Sequence, residues 1–224
     1  MATINWIKAN LRGKLGEVVG SSWKGTHYVK TYTKPGNPRT PGQLAVRGIF
    51  KHLSTVASGI YHQVLKPYTF PTPQKMTAYN YMIHVNKPMI TRKEWDPADL
   101  KIFNGPYRTL PITAVLVSNK GLPNEEISID TDLVEYPDPK KTPHALIGVI
   151  YDAKKGVVLH GIYSDENSNT PGLFEGVEIK TADFNYTVDF EDLHAYLVFV
   201  QLPVQEIGRI GMVSGTAYKK VTSP

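Results

Sequence analysis

The chain of 224 residues contains no cysteine. Disulfides, thiol nucleophiles and cysteine-ligated zinc are therefore excluded as sources of stability or chemistry. Long apolar runs are missing too. The longest, such as AYLVFV at 195–200, fall far short of the ~20 residues that cross a bilayer as a helix. The opening MATINWIKANLRGK lacks the continuous apolar core of a secretory signal, so no signal peptide and no membrane span are expected. Acidic residues are scarce at the front. Positions 1–120 hold 17 Lys and Arg against Glu17, Glu94, Asp96 and Asp99, a net +13, while positions 121–224 carry a net −8. Such polarity calls for an acidic partner of the front half, either nucleic acid or the acidic half of a neighbouring copy.

No catalytic or metal template is complete. Asp165, Asn167 and Asn169 repeat the first ligand positions of a calcium loop, but Thr170 and Gly176 stand where Gly and Glu are needed. The seven histidines (His27, His52, His62, His84, His144, His160, His194) show no paired-ligand spacing. Neither GSSWKG nor VSGTA is a nucleophile elbow. Asp189, Glu191 and Asp192 read as a solvated acidic edge and not as an acid–base pair. The expectation is a non-enzymatic protein with no cofactor, no metal and no small-molecule substrate.

What the chain does have is ordered punctuation. GKLGEVVGSSWKGTHYVKTYTK (13–34) reads as a glycine-marked hairpin, with Val19, Ser21 and Trp23 alternating toward a Lys24-Gly25 turn and Thr26, Tyr28, Lys30 and Tyr32 alternating after it. An extended, proline-rich arm (34–39) follows. Thr40-Pro41-Gly42-Gln43 has the form of a capping box with proline at the first helical position. Val46, Ile49, Phe50, Leu53, Val56, Ala57, Ile60 and Val64 then make an amphipathic stripe, and Pro67 sets the helix end near Leu65. A second helix is expected over 75–86, with Met76, Tyr79 and Ile83 on one face and Pro88 ending it.

Residues 89–112 have mixed character and are read as a domain boundary. Beyond them eight segments read as strands: 113–118, 126–131, 144–153, 156–163, 173–180, 184–190, 194–201 and 212–221. The expected fold is α+β, with a basic hairpin and two-helix layer (1–110) followed by an acidic antiparallel β-sandwich of immunoglobulin or fibronectin type (111–224).

Arg12, Lys14, Lys24, Lys30, Lys34, Arg39 and Arg47 interleave with aromatics, Trp23 among them, and are the candidate contact residues for assembly or nucleic acid. Tyr151, Tyr163 and Phe174 would serve a carbohydrate-binding or adhesive sandwich only if exposed, and core burial is the expected fate of each.

GKLGEVVGSSWKG (13–25) and NPRTPGQLAVRGIF (37–50) together resemble a family of uncharacterised bacterial and phage proteins. The matching positions are Gly13, Gly16, Val19, Gly20, Trp23 and Gly25, then Pro38, Thr40, Gln43 and Arg47, with MTAYNYMI (76–83) resembling the family's second helix. The resemblance implies no catalytic residues. It implies a virion-type structural protein, a decoration, neck or tail component, whose partners are copies of itself and other particle subunits. Its place would be the virion or the cytoplasmic site of its assembly.

Overall fold

The computed structural model describes residues 13–23, 26–34, 36–37, 39–68, 76–135, 143–164, 173–203 and 211–222. The chain divides into two compact units, Met1–Thr40 and Pro41–Pro224.

The first unit is an antiparallel meander of β1 (Gly13–Leu15), β2 (Val18–Trp23) and β3 (Thr26–Thr31). The expected hairpin is present and gains a strand in front of it. Gly16, at φ 60°, takes the left-handed conformation of the β1–β2 turn, which glycine adopts without steric penalty. Trp23 and Thr26 pair directly across β2 and β3, and the expected Lys24-Gly25 turn lies outside the described residues.

In the second unit, helix α1 (Pro41–Gly59) starts at the proline that suits a first helical position. Ile49, Leu53, Val56 and Ala57 are buried, whereas Phe50 is 45% exposed and Val46 half-buried. The buried stripe is thus narrower than the spacing predicts, because Phe50 lies off its centre. The helix also does not stop at Leu65. A π-helical turn (Tyr61–Leu65) leads into α2 (Lys66–Tyr68), with the Lys66 N–H reaching back to the Tyr61 carbonyl. The widened turn carries the chain past Pro67, whose ring would clash with a carbonyl in a regular α-helix. Helix α3 (Ala78–Val85) is capped by the Thr77 side chain, which accepts from the Asn80 N–H. Pro88 does not end the helical layer but sits in the first turn of α4 (Lys87–Arg92).

The strand-rich part forms two antiparallel sheets. In chain order its strands are β4 (Ile112–Ser118), β5 (Glu126–Glu135), β6 (His144–Asp152), β7 (Val157–Ser164), β8 (Leu173–Lys180), β9 (Leu193–Gln201), β10 (Met212–Val213) and β11 (Ala217–Lys220). The smaller sheet runs β4-β5-β8, and the larger runs β10-β9-β6-β7 with β11 also pairing with β9. Residues 184–190 do not form the expected strand. A 3-10 turn (Thr181–Phe184) begins this stretch, and the buried carboxylate of Glu125 accepts from the N–H groups of Gly121 and Val188, holding the stretch against the β4–β5 loop.

The larger sheet is covered on both faces. Ala145, Ile147, Val149, Tyr196, Val198 and Val200 pack against Leu53, Val56, Ile60, Val64, Met82 and Met89 of the helical layer. Leu146, Ile150, Leu159, Ala195, Leu197 and Phe199 pack against Ile127, Ile129, Phe174, Val177 and Ile179 of the smaller sheet. The order is helices, sheet, sheet. The helices and the strand-rich segment, read from sequence as separate domains, share one unit and one core.

The stretch expected to be a linker is part of that core. Leu100, Ile102, Phe103 and Leu110 are buried. The Ile102 and Phe103 N–H groups donate to Thr216 Oγ1, and the Gly105 N–H donates to the Ser214 carbonyl. These bonds engage Ser214–Thr216 at the break between the two short strands of 212–221, while Ser214 stays bonded to Phe199 of β9 through its N–H and its hydroxyl.

Candidate functional site

Register decides which predicted residues meet. Lys14 pairs with Val19, and Val19 with Lys30. Residues directly opposite one another point to the same side, and side chains alternate along a strand. Lys14, Lys30, Tyr28 and Tyr32 therefore lie on one face of the meander. Lys14 Nζ stands 3.9 Å from the centre of the Tyr32 ring, a cation–π contact. Tyr28 and Tyr32 are 41% and 46% exposed, and Lys14 and Lys30 are exposed as well. The hydrophobic side chains described in this unit all lie outside the buried core.

The remaining candidates are dispersed. Lys34 is exposed beyond β3, and Arg39 is exposed at φ 47° just before α1. Arg47 is exposed on α1 and engaged in an interaction of its own. Arg12 and Lys24 lie outside the described residues, as does the side chain of Trp23, and the Asp165–Asn169 motif lies outside them too.

A second cluster escapes sequence reading. Tyr151 of β6 stands 2.5 Å from Nδ1 of His52 on α1, and the His52 ring stacks on Trp95 with centroids 4.5 Å apart. Burial, seconded by the charge of Lys51, lowers the His52 pKa. Burial with the nearby Asp192 and Asp152 charges pushes Tyr151 up to about 12. The phenol therefore keeps its proton and the imidazole stays neutral, so the two share an uncharged hydrogen bond.

Tyr151 also pairs in register with His194 of β9. His194 lies 2.9 Å from Asp192 Oδ1 through Nε2 and 3.1 Å from the Tyr218 hydroxyl through Nδ1. Burial lowers the His194 pKa against the opposing pull of Asp192. Asp192 keeps the solvated edge expected of it, its side chain 45% exposed even as Oδ1 meets His194, and Asp189 and Glu191 share that edge as ion-pair partners of Lys154.

Tyr151 is 1% and His194 3% exposed, while His52, Trp95 and Tyr218 are half-buried around them and the Asp192 side chain reaches solvent. The cluster fastens helix to sheet. Phe174 is also buried, as expected, and Tyr163 is half-buried against it at the edge of a cleft. Only the strand register juxtaposes Tyr151 and His194, and no spacing along the chain signals it.

Residues 10–91 match the model of a family described as "Family of unknown function (DUF6266)". The match takes in the meander, α1 to α3 and most of α4, and it ends before the sheets begin. No curated protein and no solved structure matches the chain.

Proposed function

We propose that the chain is a non-enzymatic structural subunit that assembles with copies of itself, as components of phage-like particles do, through the basic aromatic face of the meander. The observation that carries this reading is the exposed row of Lys14, Lys30, Tyr28 and Tyr32. A three-stranded sheet gains stability by covering an apolar face, and exposed aromatics flanked by cations mark a surface that awaits an acidic partner. The −8 of the strand-rich segment supplies acidity of the right sign, so the front of one copy meets the back of the next. Head-to-tail contacts of this kind close into rings or extend as tubes.

The strand order lends support. The first, second and fifth strands form one sheet and the third, fourth, sixth, seventh and eighth the other, all antiparallel, an order close to that of fibronectin-type sandwiches except that two short strands pair with β9 at its outer side. Here that sandwich carries a helical layer on its larger sheet. Negative-stain electron microscopy of concentrated protein tests the reading: rings, tubes or regular clusters are expected, and isolated monomers alone would defeat it.

A second reading rests on the same four side chains. Lysines between exposed tyrosines also suit a single strand of nucleic acid, with bases stacked on the rings. Filter binding of an oligonucleotide would then weaken steeply with salt as phosphate counterions are released.

A further inference from the structure

The surface that receives the meander is also present in the fold. In the smaller sheet Ser128 pairs with Glu178, Asp130 with Gly176 and Leu116 with Ser128. These residues share the outer face, because Ile127, Ile129, Val177 and Ile179 are the buried ones. Leu116 is 58% exposed there and Glu178 is exposed. The face is not flat. A cleft of about 1030 Å³ opens along β5, β8 and the outer strand β7. Its charged lining is Asp130, Glu175, Glu178, Asp183 and Lys180, with His160 and Tyr163 beside them, so carboxylates outnumber lysine by four to one. None of the four carboxylates has an ion-pair partner among the described residues.

We infer that this cleft and the adjoining outer face of β4-β5-β8 are the docking surface for the meander of a second copy. The inference rests on the assembly reading and says which surfaces meet. The occupant is specified by charge and shape together. Lys14 and Lys30 supply cations for a face dominated by carboxylates, and Tyr28 and Tyr32 supply rings that a cleft admits beside Leu116. Opposite charges set the register and encounter rate of such a contact, and the buried aromatics hold it. Because donor face and acceptor face belong to different parts of the chain, each copy offers one of each, and the contact propagates.

The test is a charge swap read by sedimentation velocity at low salt. Lys14→Glu with Lys30→Glu, and separately Asp130→Lys with Glu178→Lys, are each expected to weaken self-association at least tenfold. All four substitutions in one chain are expected to restore it. The milder pair Asp130→Asn with Glu178→Gln keeps the test open if the lysine variant fails to fold, and it should weaken association by a smaller factor. Wild-type-like association of the folded acidic-face variants would overturn this surface while leaving assembly itself intact. Failure of the four-fold variant to recover while still folded would also overturn it. A wild-type chain that stays monomeric would overturn the assembly reading and this surface with it.

Discussion

The hydroxyl of Tyr151 on the central strand β6 is hydrogen-bonded to Nδ1 of His52 on helix α1 across 2.5 Å. The bond joins the segment that matches the family model to a sheet that lies wholly outside the match. The two parts are therefore fastened by a specific polar contact as well as by apolar packing.

Removing that hydroxyl measures the fastening. Tyr151→Phe keeps the ring and its packing but leaves the His52 nitrogen without a partner in a half-buried place. A loss of about 1–2 kcal/mol is expected. For a chain of this size that is a fall in Tm of about 2–4 °C per kcal/mol, readable by calorimetry.

Acid should loosen the second unit. His52, His160 and His194 all have pKa values lowered in the fold, chiefly by burial. Below about 6.5, where the unfolded chain takes up protons on these side chains, the folded chain still resists them. Their contribution is complete above that pH and is lost as pH falls toward the lowered folded values. At the alkaline end Tyr151, raised to about 12, gives stability that is lost as pH climbs from about 10 through that value. Urea midpoints should fall from pH 7.5 to pH 5, and His52→Gln should flatten part of that slope.

Two glycines should differ sharply. A Cβ on Gly105 would stand 2.0 Å from the Val213 carbonyl oxygen, and the backbone there is tied by hydrogen bonds. Gly105→Ala is expected to cost about 3 kcal/mol. On Gly148 the nearest atom is the terminal Cδ1 of Ile129 at 3.0 Å, which can swing aside. Gly148→Ala should cost less than about 1.5 kcal/mol. Chemical denaturation of the two variants side by side decides the matter.

Much of the second unit was legible in the sequence. The start of α1 follows from Thr40-Pro41, and most strand positions follow from turn signals and apolar spacing. The third layer was harder to see. Strands β6 and β9 are buried along nearly their whole length, HALIGVIYD and LHAYLVFV, and such continuous apolar runs mark strands covered on both faces. An alternating strand with one wet face would have fitted a free-standing sandwich better. The α2 continuation was hidden because a π-helical turn has no sequence rule comparable to the proline rule it evades. The basic face of the meander was readable from alternation, but its alignment with Lys14 needed the pairing of β1 with β2. The Tyr151–His194 juxtaposition needed the β6–β9 register, which no local pattern specifies.

Aromatic truncation on the meander separates assembly from stability. Tyr28 and Tyr32 are both exposed, so changing both to serine should leave the unfolding midpoint of the second unit unchanged. Self-association should fall at least tenfold, because interface aromatics carry a disproportionate share of binding. Light scattering at matched concentrations, alongside circular dichroism melts, reads both quantities.

The claim at the centre is that the charge-polarised chain associates with itself. Sedimentation velocity over a wide concentration range, at low and at high salt, addresses it most directly. Species larger than the 25.0 kDa monomer should grow with concentration and recede as salt screens the lysine–carboxylate contacts. A single 25.0 kDa boundary at every concentration and salt would contradict it.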